Sequence, residues 1–141
     1  MKFWDSSAIA ALLLQEPRTN DLLAILDADR TVVAWWGTPL ECTAAVARRE
    51  RERALTMAAA GAALARLRMI ASAWQEILPE GALRAIAERL VRVHPLRSAD
   101  SLQLAAAIVA AGHEPATLEF VSLDQRLNEA AAREGFVVLP A

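Results

Sequence analysis

The sequence predicts an α/β fold with a largely parallel sheet and helices on both of its faces. Short apolar segments of strand length alternate along the chain with longer segments of helical periodicity. Such alternation is typical of parallel sheets, in which a helix connects each strand to the next. The chain has 141 residues, of which 55% are hydrophobic. This length and composition predict a single domain, 1–141, with a sizeable buried core.

The first half of the chain contains two predicted strands and four predicted helices. One short apolar strand runs into Asp5, and a second ends before Trp35. Thr38, Pro39 and Glu41 have the spacing of an N-cap, a first helical residue and a capping-box acid, and therefore predict a helix start. The predicted strands are 2–4 and 31–34, and the predicted helices are 8–14, 20–28, 39–53 and 55–72.

The second half of the chain predicts three further strands and three further helices. The segment before Pro79 is a short edge strand in this interpretation. Gly112 and Gly135 each follow a helical segment, and glycine commonly ends a helix. The predicted strands are 74–78, 118–121 and 136–139, and the predicted helices are 80–93, 99–111 and 125–134. We therefore expect a mainly parallel sheet of four to five strands.

The helix predicted over 99–111 is the most informative element. Pro95 disfavours helical backbone at His94, and Ser98 has the properties of an N-cap. Asp100 falls in the first turn, and the residues beyond it are apolar on nearly every side. This pattern predicts a mostly buried helix with a carboxylate at its open end. That carboxylate either complements the helix dipole or belongs to a functional site.

Composition excludes several classes of protein. The formal net charge of −2 is not typical of a general nucleic-acid binder, so any such partner would meet a local basic patch. The single cysteine, Cys42, excludes an internal disulfide and suits a reducing compartment. No uncharged run exceeds 12 residues, whereas about 20 are needed to span a bilayer. No signal peptide is recognisable. We therefore expect a soluble, cytoplasmic protein without a membrane span.

Four acids lie just after predicted strands or at helix starts. In a parallel sheet these positions meet at one edge, and four neighbouring carboxylates need a cation to remain ionised together. Mg²⁺ or Mn²⁺ is the natural partner of such oxygen ligands, and it activates water for attack on a phosphodiester. Each acid alone is equally compatible with a helix cap or turn. The four acids are Asp5, Glu41, Asp100 and Asp124.

Several segments that contain these acids resemble one known family. They are Phe3-Trp4-Asp5-Ser6-Ser7-Ala8, the helix that holds Glu41, Leu96-Arg97-Ser98-Ala99-Asp100-Ser101-Leu102-Gln103-Leu104-Ala105-Ala106-Ala107, and Phe120-Val121-Ser122-Leu123-Asp124-Gln125-Arg126-Leu127. In order and spacing they resemble the PIN-domain family, and within it the VapC-type toxins. The third segment is the most specific of the four.

The resemblance implies more than the residues show by themselves. It implies a three-layer α/β/α sandwich and an Mg²⁺- or Mn²⁺-dependent endoribonuclease whose metal is held by the four acids. It further implies RNA products with a 5′-phosphate and a 3′-hydroxyl, homodimerisation, and inhibition by a VapB-type antitoxin. One departure concerns the second metal position. Some members carry a further acid shortly after the fourth, where this sequence has Gln125 and Arg126.

Four polar residues are candidates for a supporting role. Ser6 and Ser7 either hydrogen-bond the metal site or simply cap a helix. Asn128 either orients a ligand or is a solvated helix residue. Arg97 either helps to neutralise charge on a phosphodiester or pairs with one of the acids.

Basic and aromatic residues offer candidate contacts for RNA. The segment 48–53 either meets phosphates or forms a solvated helix end, in which Arg48 and Glu52 make an ion pair. Of Trp35 and Trp36, we expect one in the core and one exposed, where it is able to stack on an unpaired base. The leucines at 12–14 and in the second predicted helix are expected mostly in the core, although they are also compatible with a dimer interface or a groove for an antitoxin helix.

Two other functions are compatible with the sequence. A PIN-like module that binds RNA or protein without cleavage has the same fold, but it has no need of all four acids. A phosphoryl-accepting signalling domain also gathers acids at strand ends. Such chemistry commonly uses a lysine near the phosphate, and Lys2 is the only lysine of the chain.

Overall fold

A computed structural model describes residues 1–141 and contains one five-stranded sheet and seven α-helices. The strands are β1 (Lys2–Trp4), β2 (Val32–Trp35), β3 (Gln75–Ile77), β4 (Glu119–Val121) and β5 (Val137–Leu139). The helices are α1 (Ser6–Leu13), α2 (Thr19–Ala28), α3 (Thr38–Arg51), α4 (Met57–Ala73), α5 (Gly81–Val93), α6 (Ser98–Ala110) and α7 (Gln125–Arg133). A short 3₁₀ helix at Pro115–Thr117 precedes β4.

All strand pairs of the sheet are parallel, and the strand order is β3-β2-β1-β4-β5. Phe3 of β1 lies opposite Val33 of β2 and Phe120 of β4. The chain therefore moves from β1 towards one edge and later returns to the other side of β1. Ligand sites of open α/β folds lie at the carboxyl ends of the strands where the order reverses, which here is between β1 and β4.

Helices cover both faces of the sheet, because side chains of each strand alternate between two cores. Phe3 points into a core with α5, α6 and α7, where its ring stacks on that of Phe120 with centroids 5.6 Å apart. Trp4 points into the opposite core, which is formed with α1, α2, α3 and α4. The predicted three-layer α/β/α sandwich is confirmed, with β3 at an edge as expected.

Helix α6 is the buried helix that its apolar sequence predicted. Leu104 and the three alanines after it are fully buried, because α6 packs between the sheet and α5. Gly112 has a φ of +60°, in the left-handed region that glycine adopts without strain, and follows the C-cap of the helix. The predicted N-cap was wrong by one residue: Arg97 is the N-cap, and Ser98 is the first helical residue.

The predicted capping box of α3 was also wrong. Gly37 is the N-cap, and it provides no side-chain hydrogen bond to the helix. The Thr38 hydroxyl is buried and accepts a hydrogen bond from Gln103, while the Glu41 carboxylate contacts Gln103 and Ser6. Tertiary partners have therefore replaced the local capping interaction that the sequence spacing suggested.

Most apolar residues singled out in the sequence lie in the core. Cys42 is fully buried, as expected of a small hydrophobe. Leu13 and Leu14 are buried, and Leu12 is half-buried against the same core, which confirms the core interpretation for this segment. None of the helices has the length and apolar character that a membrane crossing requires.

Candidate active site

Asp5 lies at the carboxyl end of β1 and is the N-cap of α1. Its backbone N–H donates to the Val121 carbonyl over 2.9 Å, so the β1–β4 ladder continues up to the acid. Its side chain is only 3% exposed, and Oδ2 accepts hydrogen bonds from the Ser7 backbone N–H (3.1 Å), the Ser7 hydroxyl (2.5 Å) and the Ser122 hydroxyl (3.1 Å). The carboxylate is therefore held rigidly where two strands end.

Ser7 joins the ends of β1 and β4. Its hydroxyl donates to Asp5 and accepts a hydrogen bond from the Leu123 backbone N–H over 2.9 Å. Ser122 makes a similar connection, because its hydroxyl also accepts from the backbone N–H of Asp124 over 3.1 Å. Two serine hydroxyls thus fix the loop that carries Asp124 relative to Asp5.

Glu41 projects from the first turn of α3 towards Asp5 and α6. Its Oε1 accepts a hydrogen bond from the Ser6 hydroxyl over 3.3 Å, and its Oε2 accepts one from the Gln103 amide over 2.8 Å. The Ser6 hydroxyl also lies 3.5 Å from Asp5 Oδ1. A hydroxyl has one proton to donate, so Ser6 is shared between the two carboxylates.

Asp100 and Asp124 are the other two acids of the site. Asp100 is in the first turn of α6 and is half-buried. Asp124 is the N-cap of α7, where Oδ1 accepts a hydrogen bond from the Leu127 backbone N–H over 3.0 Å. The capping function considered for Asp5 and Asp124 is therefore real, and it coexists with a position in the cleft.

The four acids line one open cleft of about 440 Å³. Asp5 and Glu41 contribute to it together with Ser6 and Ser7. Its apolar lining consists of small residues, and its far end is formed by two arginines of α3. The small apolar residues are Ala10, Ala44 and Ala45, and the two arginines are Arg48 and Arg51. The structure thus brings together the four acids that the sequence placed at separate strand ends and helix starts.

Burial raises the pKa of three of these acids, and repulsion by a neighbouring carboxylate contributes for Glu41 and Asp100. Burial raises the pKa of Asp5, against the opposing effect of hydrogen bonds from Ser7 and Ser122. Burial, together with the charges of Asp5 and Asp100, raises the pKa of Glu41 to about 7, although the Gln103 hydrogen bond lowers it. Burial and the charge of Asp124 raise the pKa of Asp100. Each of the four acids therefore takes part in repulsion with at least one other carboxylate of this cluster.

No arginine, lysine or histidine forms an ion pair with any of the four acids. The negative charge of the four acids is therefore not balanced by a direct ion pair within the protein. Carboxylate and hydroxyl oxygens are the donors that hard divalent cations prefer, so the donor set fits Mg²⁺ or Mn²⁺. The side chains of the site do not, however, form a group of three or more His, Cys, Asp or Glu residues that is close enough to bind a metal ion without rearrangement. The site therefore suits a divalent cation by its negative charge and its oxygen donors, and not by a preformed arrangement of ligands.

The four candidate supporting residues differ in what they contact. Ser6 and Ser7 contact the carboxylates, whereas the helix cap is Asp5. Asn128 donates from Nδ2 to the Ser122 carbonyl over 3.1 Å, so it supports the loop before Asp124 and is not a solvated helix residue. Arg97 is exposed and makes no ion pair, but its charge lowers the pKa of Asp100.

Two contributors to the site were missed at the level of sequence. Gln103 is fully buried in an otherwise apolar helix, and Ser122 is buried at the end of β4. A polar residue within a buried apolar run is a signal that it has a tertiary partner, because an unpaired buried amide is costly. Gln103 satisfies this expectation with Glu41 and Thr38, although its Oε1 has no partner.

The chain resembles several solved structures. VapC20 of Mycobacterium tuberculosis, described as a Sarcin-Ricin loop cleaving toxin, is 23% identical with a TM-score of 0.68, over 97% of each chain. FitAcB of Neisseria gonorrhoeae is 19% identical with a TM-score of 0.67, over 98% of this chain and 96% of that one. A toxin–antitoxin complex from Klebsiella pneumoniae is 15% identical with a TM-score of 0.63, over 89% and 88%.

These similarities extend over nearly the whole chain at low sequence identity, and they define the class of fold. The chain has the PIN-like fold that its sequence resemblance predicted. No protein-family model and no curated protein sequence matches it.

Proposed function

We propose that this chain is a metal-dependent endoribonuclease and the toxin component of a type II toxin–antitoxin pair. The observation that carries the proposal is the cleft, in which acids from four separate segments meet at the carboxyl ends of β1 and β4. A cluster of carboxylates that makes no ion pair with a basic side chain is costly unless it has a ligand of positive charge. The resemblance of the segments around these acids to VapC-type toxins supports the same function.

The four acids would hold Mg²⁺ or Mn²⁺ in this proposal. When bound, the cation supplies positive charge that neutralises the phosphodiester and favours ionisation of the attacking water. The protein's own part is to hold the acids in place. Ser7 and Ser122 fix Asp5, while Gln103 and Ser6 fix Glu41. Rigid positioning of the binding groups lowers the cost of organising the transition state.

The proposed partners are an RNA substrate, a VapB-type antitoxin and a second copy of the chain, in the cytoplasm. Two of the solved structures with this fold are described as a toxin–antitoxin complex and as a Sarcin-Ricin loop cleaving toxin, which supports a protein antitoxin and an RNA substrate here. Sedimentation equilibrium of the purified chain tests the homodimer. Co-purification with the product of an adjacent gene tests the antitoxin.

Cleavage of a total-RNA pool by the purified chain tests the activity. Reactions contain Mg²⁺ or EDTA, and they compare the wild type with Asp100→Asn. We expect cleavage only with Mg²⁺ and a loss of at least about 100-fold in the variant, because charge stabilisation at the reacting phosphate is lost. Asp21→Asn, on the exposed surface of α2, is the matched control and should cleave like the wild type. Equal cleavage in EDTA would exclude the metal-dependent function.

A non-catalytic PIN-like module that binds RNA or protein is the second candidate. It is favoured by the lack of three converging ligands and by the three hydrogen bonds that already occupy Asp5 Oδ2. Thermal unfolding with and without Mn²⁺ separates the two functions. The nuclease proposal requires a Mn²⁺-dependent increase in Tm that Asp100→Asn abolishes, whereas the binding module requires none.

A further inference from the structure

The cleft continues beyond the four acids along α3. Glu41, Ala45 and Arg48 lie three to four residues apart, and Arg51 follows after three more, so all of them share one face of the helix. With a rise of 1.5 Å per residue, Arg48 lies about 10 Å and Arg51 about 15 Å along the axis from Glu41. The same cleft is therefore acidic at the start of α3 and basic at its end.

These two arginines have no partner within the protein. The ion pair expected between Arg48 and Glu52 does not form, and neither Arg48 nor Arg51 forms an ion pair with any acid. The neighbouring Arg49 is different, because it points the other way and contacts Glu16 over 2.8 Å. Both arginines are exposed. Two unpaired guanidinium groups thus face a cleft whose lining between them and the acids is alanine.

Phosphates are the ligands that fit this basic end. A guanidinium binds a phosphate through two parallel hydrogen bonds, and arginines one helical turn apart are able to bind successive phosphates of a strand. The cleft volume of about 440 Å³ is in the range of sites for small ligands, so the cleft encloses part of one strand and is too small to enclose a duplex. Ala44 and Ala45 leave the path along α3 unobstructed.

We propose that Arg48 and Arg51 bind the phosphates of a single-stranded RNA segment on one side of the scissile phosphodiester. This inference rests on the proposed function and adds the path of the strand. The strand runs from the four acids along α3, held through its backbone and therefore without base specificity at these two positions. Arg48 and Arg51 are binding residues in this arrangement, and the four acids remain the reacting end of the cleft.

The test measures RNA binding separately from cleavage. A fluorescein-labelled single-stranded RNA of mixed sequence is titrated with Asp100→Asn, which retains both arginines but is expected not to cleave. The titration is then repeated with a variant that combines Asp100→Asn with Arg48→Ala and Arg51→Ala. The matched control carries Arg68→Ala with Arg84→Ala, two exposed arginines that form no ion pair and lie outside the cleft. Both double variants have the same net charge, so general electrostatic attraction to RNA is equal.

We expect Arg48→Ala with Arg51→Ala, the cleft pair, to weaken binding about tenfold or more at 150 mM salt. Arg68→Ala with Arg84→Ala, the control pair, should have little effect. The slope of log affinity against log salt should decrease by about 1.4 for the cleft pair, since each phosphate contact on a single strand contributes about 0.7. Arg48→Lys with Arg51→Lys should retain most of the slope but only part of the affinity, because lysine keeps the charge and loses the bidentate geometry.

Equal effects of the two double variants would overturn the proposed path, and so would unchanged binding by the cleft pair. If wild-type protein cleaves RNA in either of those cases, the nuclease proposal stands while the path fails. If the cleft pair alone loses binding but wild-type protein never cleaves, the path stands while the nuclease proposal fails. Absence of RNA binding together with arginine-dependent binding of an acidic peptide would overturn the path in favour of a protein ligand.

Discussion

Gln103 donates a hydrogen bond from Nε2 to Oε2 of Glu41 over 2.8 Å, between residues 62 positions apart in the chain. The same amide nitrogen donates to the Thr38 hydroxyl over 3.0 Å. Helix α6 therefore sets the position of the first turn of α3 and of the acid that it carries. Gln103 also lowers the pKa of Glu41 and so favours the charged form that a cation requires.

Gln103→Met should weaken cation binding while leaving the fold intact. Methionine has nearly the same shape and removes the buried Oε1 that has no partner, but it also leaves the buried Thr38 hydroxyl without its donor. We therefore expect the free energy of unfolding to fall by about 1–2 kcal/mol. Without the amide donor, Glu41 loses the contact that orients it. We expect Mn²⁺ affinity to fall about tenfold, as for other residues that orient metal ligands. Electron paramagnetic resonance of free Mn²⁺ measures this affinity.

Gln15→Met is the matched control for that measurement, because Gln15 is exposed and lies outside the cleft. Its Mn²⁺ affinity should equal that of the wild type. Unchanged affinity in Gln103→Met would show that Glu41 is positioned without the amide. A large loss of stability would instead assign Gln103 a structural role.

Position 37 requires glycine because the Trp35 side chain lies close to its Cα. A Cβ at Gly37 would lie 2.5 Å from Nε1 of the Trp35 indole, which is buried and unable to move away freely. Gly61 is the contrasting case, because it lies within α4 with nothing within 4 Å of an added Cβ. We expect Gly37→Ala to lower the free energy of unfolding by about 1–3 kcal/mol. We expect Gly61→Ala to raise it by about 0.5–1 kcal/mol. Urea denaturation measures both, and a neutral Gly37→Ala would contradict the packing described.

Glu134 links α5 to the end of α7 and should make stability depend on pH. It contacts Arg89 over 2.6 Å and His94 over 2.9 Å, and these contacts hold its pKa below the usual range, with Arg89 the larger cause. A lowered folded-state pKa means that the stabilisation is present above pH 4.5, the ordinary value, and is lost as pH falls through the folded-state pKa. We expect Glu134→Gln to lower Tm at pH 7 by about 3 °C, for a loss of about 1 kcal/mol.

The difference in Tm between wild type and Glu134→Gln should shrink as pH falls from 4.5 through the lowered folded-state pKa of Glu134, since the wild-type carboxylate is then protonated as well. Glu129→Gln on the exposed face of α7 is the control, because Glu129 forms no ion pair. A difference that stays constant from pH 7 to pH 3 would mean that the charge of Glu134 contributes nothing.

The fold was predictable because its elements are coded by local patterns. All seven α-helices and five strands were expected from periodicity and helix-ending residues, with boundaries within a few residues. The errors concern helix starts. Thr38 and Ser98 have the chemistry of N-caps, but Gly37 and Arg97 occupy those positions. A local rule fails there because the Thr38 hydroxyl has a tertiary partner in Gln103, which a sequence pattern does not contain.

Trp35 and Trp36 also separate what a sequence pattern predicts from what the tertiary structure decides. The apolar strand predicted that one of the two would be buried and the other exposed, and the structure assigns Trp35 to the core and leaves Trp36 54% exposed. The ion pair considered between Arg48 and Glu52 depended on helical spacing alone, and it does not form, although both residues are exposed at the helix end. Spacing shows which side chains are able to meet, whereas their surroundings decide whether they do.

The sequence by itself determined the alternation of strands and helices, the buried character of α6 and the identity of four acids at strand ends and helix starts. Local periodicity and capping chemistry are sufficient for this, because they act between neighbouring residues. Only the tertiary structure decided that these acids share one cleft, that Gln103 and Ser122 hold two of them, and that Arg48 and Arg51 complete it. These relationships depend on strand order and on the packing of α3 against α1 and α6 against β2, which bring distant residues within hydrogen-bonding distance.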